Sequence, residues 1–237
     1  MLRELHDLLR RGDAASWKPT PPSDVFSSEE QKLGELLAAV PRLLRILESL
    51  PDREEILSLW QTIVEGQLFD LQRFGHDEVP LSRAELERYC YLVAGSVGET
   101  WTRLIARHAA EVITQELAVM VPLGCSYGKG LQLVNILRDR AADRAIGRHY
   151  IQEEETGELF DLAEGWLAEG LKYLSLLRPG RTLYATALPH DLALRTLRGI
   201  RSAGNARQMK VTRTDVRRVL ARNLPSLLLP RRGNPVS

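Results

Sequence analysis

The chain has 237 residues, and its 44% hydrophobic and 27% charged residues are typical of a soluble globular protein that can bury a sizeable core. Aromatic residues make up only 6%, while Leu, Ala, Arg and Glu are abundant, which favours helix over sheet. The net charge is +1, but residues 195–232 contain eleven Lys or Arg and one acid, Asp215. This basic segment predicts an anionic partner or, alternatively, a solvated helix face followed by a disordered tail.

Three further features exclude other classes of protein. The two cysteines, Cys90 and Cys125, lie in apolar helical surroundings, which indicates buried thiols in a reducing compartment and excludes a disulfide framework. We find no apolar run of the ~18–20 residues that a membrane span needs. Charges are spread throughout residues 1–13, which is not typical of a signal peptide. We therefore expect a cytoplasmic protein that can touch the inner membrane surface peripherally.

Helical periodicity dominates the first part of the chain. Leucines predict a first helix over residues 2–12, and the proline-rich residues 17–24 predict a loop. A capping-box sequence at residues 27–30 starts a helix that runs towards Leu50 with a bend at Pro41. The next helix begins within PDREE, directly after Leu50.

Further helices are predicted through the rest of the chain. Ser82 and Glu85 form a capping box that opens a helix through about His108. We expect one helix to end before Pro122 and another to start near Gly124. The GCSYGKG segment there resembles a phosphate loop, but it lacks the right spacing and a preceding strand, so we interpret it as a helix start. The remaining predicted helices cover roughly residues 158–177, 189–203 and 212–223.

The segment LQLVNILRDRAAD places four polar residues on one helical face. Their spacings of three, four and four residues stack them along the helix, and the opposite face is apolar. Two acids four residues apart repel each other slightly, and Mg²⁺ is commonly held by one or two carboxylates together with substrate phosphates. The stripe is therefore either a metal site or an exposed acidic face. Its members are Gln132, Asn135, Asp139 and Asp143.

Neighbouring residues favour the metal site. Arg138 lies within the stripe segment, and Arg148 lies just beyond it, so both can bind diphosphate oxygens. Upstream, YCYLVAGSVG carries glycines inside a predicted helix, which indicates close approach of another helix or a bulky ligand. Either Tyr89 or Tyr91 in this segment can be a functional residue or a buried structural tyrosine.

Together, YCYLVAGSVG and GLQLVNILRDRAADRAIGRHY resemble the two signature regions of the squalene/phytoene synthase family, most densely from Glu65 to Gln152. The resemblance implies an all-α, isoprenoid-synthase-type helical bundle around a central cavity. It also implies one domain over residues 1–230 and a basic, disordered tail at 231–237. In the family, a first aspartate-rich motif lies further upstream and would fall before Met1. The acids at 29–30 and 52–55 are typical of helix starts, so we do not expect them to replace this motif. We therefore expect an N-terminally shortened bundle.

The family members are head-to-head prenyl transferases. The resemblance implies condensation of two farnesyl or geranylgeranyl diphosphates with Mg²⁺-assisted loss of diphosphate. We expect this activity to be impaired in a shortened chain. NADPH is implied only if the product is reduced to squalene. The alternative is a non-catalytic relative that acts as an assembly or interaction protein. We expect no nucleic acid partner, and we expect peripheral membrane contact through the basic C-terminal segment.

Site residues follow from the resemblance position by position. Asp139 and Asp143 match the metal-binding aspartates of the second aspartate-rich motif. Tyr89 matches the tyrosine implicated in the family's chemistry. The positions that match the diphosphate-binding and polar cavity residues are Gln132, Asn135, Arg138 and Arg148.

Overall fold

The structure is a computed structural model that describes residues 7, 39–40, 42–74, 79–152, 155–203 and 212–229. The chain divides into two compact units, residues 1–69 and 70–237, with the boundary inside one helix. Apart from Asp7, the predictions for residues 2–12, the loop at 17–24, the bend at Pro41 and the tail at 231–237 lie outside the described residues. The single-domain expectation for residues 1–230 stays a prediction.

In the first unit, a helical stretch at residues 42–48 is followed by helix α1, Arg53–Phe74, whose last five residues belong to the second unit. The end of the first element and the start of the second agree with the sequence-based prediction. Glu54 and Glu55 lie in the first turn of α1, where acids favour the positive end of the helix dipole. The small core of this unit consists of Val40, Leu44, Leu47 and Val64.

The described residues of the second unit form helices joined by short loops and turns, with one isolated bridge between Ile113 and Leu177. The all-α prediction is confirmed. The predicted helix from Ser82 to about His108 is also confirmed, with a π-turn at Tyr91–Gly95 between its two α-helical parts. The α-helices of the second unit are α2 Arg83–Cys90, α3 Ser96–His108, α4 Leu117–Ala145, α5 Thr156–Ser175, α6 Arg181–Ala203 and α7 Arg213–Asn223.

Two predicted helix boundaries are wrong because prolines lie inside helices. Helix α4 continues through Pro122, so the following GCSYGKG segment is helix interior and not a helix start. Pro122 lies in the second turn of α4, where its missing N–H removes a single intrahelical hydrogen bond. Helix α6 likewise begins at Arg181 and contains Pro189. In both places the packing of long helices outweighs the local penalty of proline.

Helix α4 packs very closely against the π-turn and α3. A Cβ atom added to Gly128 would lie 2.1 Å from the carbonyl oxygen of Ala94, and one added to Gly98 would lie 2.0 Å from that of Gly124. Contacts this short allow only glycine, because the two helix backbones touch directly. The glycines of the YCYLVAGSVG segment therefore serve close helix approach, which is one of the two roles predicted for them.

Helix α4 also packs against α5 and α6. Met120 and Tyr127 of α4 pack with Tyr173 and Leu183, and the Tyr127 hydroxyl donates a hydrogen bond to the carbonyl oxygen of Thr186 at 2.6 Å. Contrary to the sequence-based expectation, α4 is long and apolar enough to cross a membrane, with a mean hydropathy of 1.2 over eighteen residues. Of that window, 39% is buried inside the protein.

Both thiols are free, but only one of them is fully buried. Cys90 is buried, as predicted, and burial raises its pKa to about 12. Cys125 is half-buried, contrary to prediction, because it lies at the edge of the crossing between α3 and α4. Burial also raises its pKa, to about 11. Both groups are therefore neutral thiols at pH 7.

We expect the Gly128→Ala substitution to cost about 3 kcal/mol of unfolding free energy, because the new methyl group overlaps the Ala94 carbonyl. Gly165→Ala is the matched control, since a Cβ there meets nothing within 4 Å in helix α5. That change should stabilise the protein by up to about 1 kcal/mol. Urea unfolding measures both, and equal effects at the two positions would contradict the close crossing.

Candidate active site

Helix α4 carries the polar stripe along the side that its neighbours leave open. Gln132, Asp139 and Asp143 are half-buried and Asn135 is exposed, whereas Val134 and its apolar neighbours are buried. The helix is continuous through Ala145, so these side chains project from one face as their spacing predicts. The stripe is thus a row of polar groups on a helix that otherwise forms the core of the second unit.

The two carboxylates of the stripe have different surroundings. Asp139 accepts a hydrogen bond from Nε of Arg138 at 2.9 Å and forms an ion pair with the same guanidinium. Burial raises the pKa of Asp143, and the negative charges of Asp139 and Asp70 raise it further, while Arg148 and Arg138 oppose the shift. Asp143 therefore carries a negative charge that the fold only partly compensates.

The chain reverses direction at the end of α4 through a glycine turn. Gly147 has a φ of +79°, its N–H bonds to the carbonyl of Arg144 at 3.1 Å, and the N–H of Arg148 bonds to that of Asp143 at 2.9 Å. This pair of bonds is the Schellman arrangement, in which a left-handed residue closes the helix. The turn places Arg148 beside the last carboxylate of the stripe.

A carboxylate from α1 holds the residues that follow this turn. Asp70 is only 3% exposed, and its Oδ2 atom accepts hydrogen bonds from Nη2 and Nε of Arg148 at 2.8 and 2.9 Å. Its Oδ1 atom accepts a hydrogen bond from the Tyr150 hydroxyl. Asp70 and Tyr150 were not among the residues singled out from the sequence. The sequence did carry a signal for them: Asp70 lies four residues before Phe74, so both are on one face of α1, and the Phe74 ring packs on Tyr150.

Tyr89 joins this network through Tyr150. The two rings stack with centroids 5.2 Å apart, and their hydroxyl oxygens are 3.4 Å apart. Because the Tyr150 hydroxyl donates its proton to Asp70, the Tyr89 hydroxyl is the group that can donate between the two tyrosines. Burial raises the pKa of Tyr89, so its hydroxyl stays neutral at physiological pH. Tyr91 lies apart from this network and is exposed.

A small cleft lies at the carboxyl end of α4. Arg140, one of its lining residues, donates a hydrogen bond to the Thr156 hydroxyl at 3.1 Å. The cleft is rich in cationic side chains, so it suits an anionic group. It is lined by Ile136, Arg140, Asp143, Arg144, Arg148, His149, Tyr150 and Ile151.

The stripe offers two carboxylate ligands that fit a magnesium ion. Asp139 and Asp143 supply carboxylate oxygens one helical turn apart, which are ligands that Mg²⁺ accepts. No group of three His, Cys, Asp or Glu side chains able to hold a metal occurs among the described residues. The pair therefore fits an ion that takes its remaining ligands from water and a bound diphosphate, and it does not form a complete protein cage.

We expect the Asp70→Asn substitution to cost about 2 kcal/mol of unfolding free energy, because it leaves the Arg148 guanidinium without its carboxylate partner. The matched control is Asp161→Asn, which breaks an exposed ion pair with Arg201 and should cost under about 0.5 kcal/mol. Urea unfolding of both variants tests the difference. Equal losses would show that the Asp70 network contributes no more than a surface pair.

We expect Asp143→Asn to stabilise the metal-free protein by roughly 0.5 kcal/mol at pH 7, because it removes a repulsive charge next to Asp139. A raised carboxyl pKa in the folded state destabilises the fold above that pKa, and the penalty disappears as the pH falls through it. The gain should therefore shrink towards about pH 4. Unfolding with chelator at both pH values measures it, and a destabilised variant at pH 7 would contradict it.

The chain is similar in sequence to proteins of one known family. The profile described as squalene/phytoene synthase matches residues 1–161. Among curated relatives, the squalene synthase of Cyberlindnera jadinii is 31% identical over 140 residues, which are 49% of this chain and 31% of that protein. The presqualene diphosphate synthase of Rhodopseudomonas palustris is 32% identical over 117 residues, 49% of this chain and 38% of the relative. The chain thus matches less than half the length of each.

Solved structures show the same fold. A dehydrosqualene synthase in complex with a ligand superposes with a TM-score of 0.62 at 22% identity, covering 94% of this chain and 76% of that chain. TcSQS with the ligand BPH1237 superposes with a TM-score of 0.64 at 22% identity, covering 94% and 70%. The helical bundle agrees with these folds, and the profile covers more than half of the residues. The chain belongs to the squalene/phytoene synthase family.

Proposed function

We propose that this chain acts as a head-to-head prenyl transferase that condenses two isoprenyl diphosphates, farnesyl or geranylgeranyl, with Mg²⁺. The observation that supports the proposal best is the pair Asp139 and Asp143, flanked by Arg138 and by the anchored Arg148. Carboxylates for a hard cation and guanidinium groups for phosphate oxygens are the two components of a metal–diphosphate site. The family includes enzymes that make squalene, phytoene and presqualene diphosphate.

The residues have separate roles in holding the leaving group. Asp139 and Asp143 would hold Mg²⁺, which neutralises the charge that develops on the departing diphosphate. Arg148 can donate to diphosphate oxygens because a third of its side chain is exposed while Asp70 fixes its orientation. Gln132 and Asn135 would donate amide hydrogen bonds to the same anion.

Tyr89 would act at the hydrocarbon part of the substrates. Its hydroxyl is neutral and is hydrogen-bonded with Tyr150, and a neutral phenol oxygen can face an electron-poor centre or a proton. A neutral oxygen can stabilise an allylic cation without the covalent trapping that a free phenolate would risk. The chain of hydrogen bonds from Tyr89 through Tyr150 to Asp70 fixes the position of that oxygen.

The test supplies purified protein with farnesyl diphosphate, or with geranylgeranyl diphosphate, and Mg²⁺. Mass spectrometry should detect presqualene or prephytoene diphosphate, or a C30 or C40 hydrocarbon. Asp139→Asn and Asp143→Asn should lower the rate about 100-fold, because each removes a ligand of the charge-neutralising ion. The matched control Asp161→Asn, on the exposed part of α5, should keep the full rate.

A second measurement separates binding from turnover. Calorimetry with inorganic pyrophosphate and Mg²⁺ should show metal-dependent binding that Asp143→Asn weakens and Asp161→Asn leaves intact. Binding without any product from either substrate would support a non-catalytic interaction protein. That alternative is the second candidate. If the protein neither binds pyrophosphate nor forms product, the proposed site is contradicted.

A further inference from the structure

The end of the described chain displays a row of exposed aliphatic side chains. Val216 and Leu220 lie about one turn apart on one face of α7, and the exposed Leu224 begins the 3₁₀ turn Leu224–Leu227 that follows. The row continues into Leu228, which is 83% exposed, and Leu224 is 53% exposed. We call it the leucine face, and its members are Val216, Leu220, Leu224 and Leu228.

Cationic side chains border the leucine face. Arg213 lies three residues before Val216 and Arg217 three residues before Leu220, so both are on the same side of α7, and both are exposed. The one acid in this part of the chain, Asp215, is engaged by the Thr212 capping box and by ion pairs with Arg195 and Arg218. The positive charge beside the leucines is therefore not neutralised by the acid closest to it.

Helix α7 is held in place by its opposite face. Val219, Asn223 and Ser226 are buried, and the Asn223 amide donates a hydrogen bond to Asp191 at 2.8 Å. The carbonyl oxygen of Ser226 also accepts a hydrogen bond from the N–H of Gly180 at 3.0 Å. Because these contacts fix the rotation of α7, the leucine face points outwards as a consequence of the fold.

We propose that the leucine face docks the protein onto an anionic lipid bilayer surface. Aliphatic side chains at the acyl boundary and arginines at the headgroups are the two components that interfacial helices combine. A nucleic acid would use the arginines but would leave the leucines exposed to water, because its backbone contacts are with charged phosphates. The proposal does not depend on prenyl transfer, and its readout is vesicle binding.

The experiment is co-sedimentation with vesicles of equal parts phosphatidylcholine and phosphatidylglycerol, compared with pure phosphatidylcholine vesicles. The full-length protein should bind the anionic vesicles, and about 1 M salt should largely abolish binding by screening the arginines. Arg213→Gln with Arg217→Gln should weaken the partition coefficient roughly 25-fold, since each charge near such a surface contributes about fivefold. Leu220→Ser with Leu224→Ser should weaken it by at least about tenfold.

The control pair is Arg103→Gln with Leu117→Ser, which changes an exposed arginine and a leucine of similar exposure on other helices. It should bind vesicles like the unmodified protein. Circular dichroism of every variant shows whether the helices remain intact. Equal loss in the control, equal binding to neutral vesicles, or salt-sensitive binding of single-stranded RNA without any vesicle binding would each overturn the proposal.

Discussion

Asp70 is the residue on which the geometry of the site depends. Its carboxylate, almost wholly withdrawn from water, accepts hydrogen bonds from both Arg148 and Tyr150. A buried carboxylate is costly unless its oxygens are fully bonded, so the bonds that satisfy Asp70 also orient its two partners. Tyr150 then orients Tyr89, and Arg148 lies next to Asp143. The Asp70 carboxylate thus connects the two tyrosines, through Tyr150, with Asp143, through Arg148.

A steric constraint places Tyr89 within reach of that network. The backbones of α4 and of the segment that carries Tyr89 touch at Gly98, Gly124 and Gly128, where any side chain would collide. This close contact stabilises the packing of α4 against the Tyr89 segment and also fixes the distance between them. The π-turn at Tyr91–Gly95 falls in this crossing and begins two residues after Tyr89, and such turns often occur at functional sites.

The sequence predicted the local features well because they depend on spacing within one helix. The all-α class, the Ser82–Glu85 capping box and the stripe of α4 follow from periodicity and end signals that a single segment carries. The prolines were misread because the benefit of continuing α4 and α6 comes from neighbouring helices. Asp70 was missed because its importance rests on Arg148, 78 residues away, which no local pattern reveals.

Helix α4 combines the core of the second unit with an acidic face, and the two functions make opposite demands. Burial and packing would be served best by neutral side chains, yet Asp139 and Asp143 repel each other and burial disfavours the charge on Asp143. A fold usually keeps such unfavourable charges at places where a ligand compensates them. Arg138 and Arg148 offset part of the repulsion but leave the row open on one side. The remaining unfavourable charge is therefore a physical reason to interpret this face as a site for a cation together with an anionic ligand.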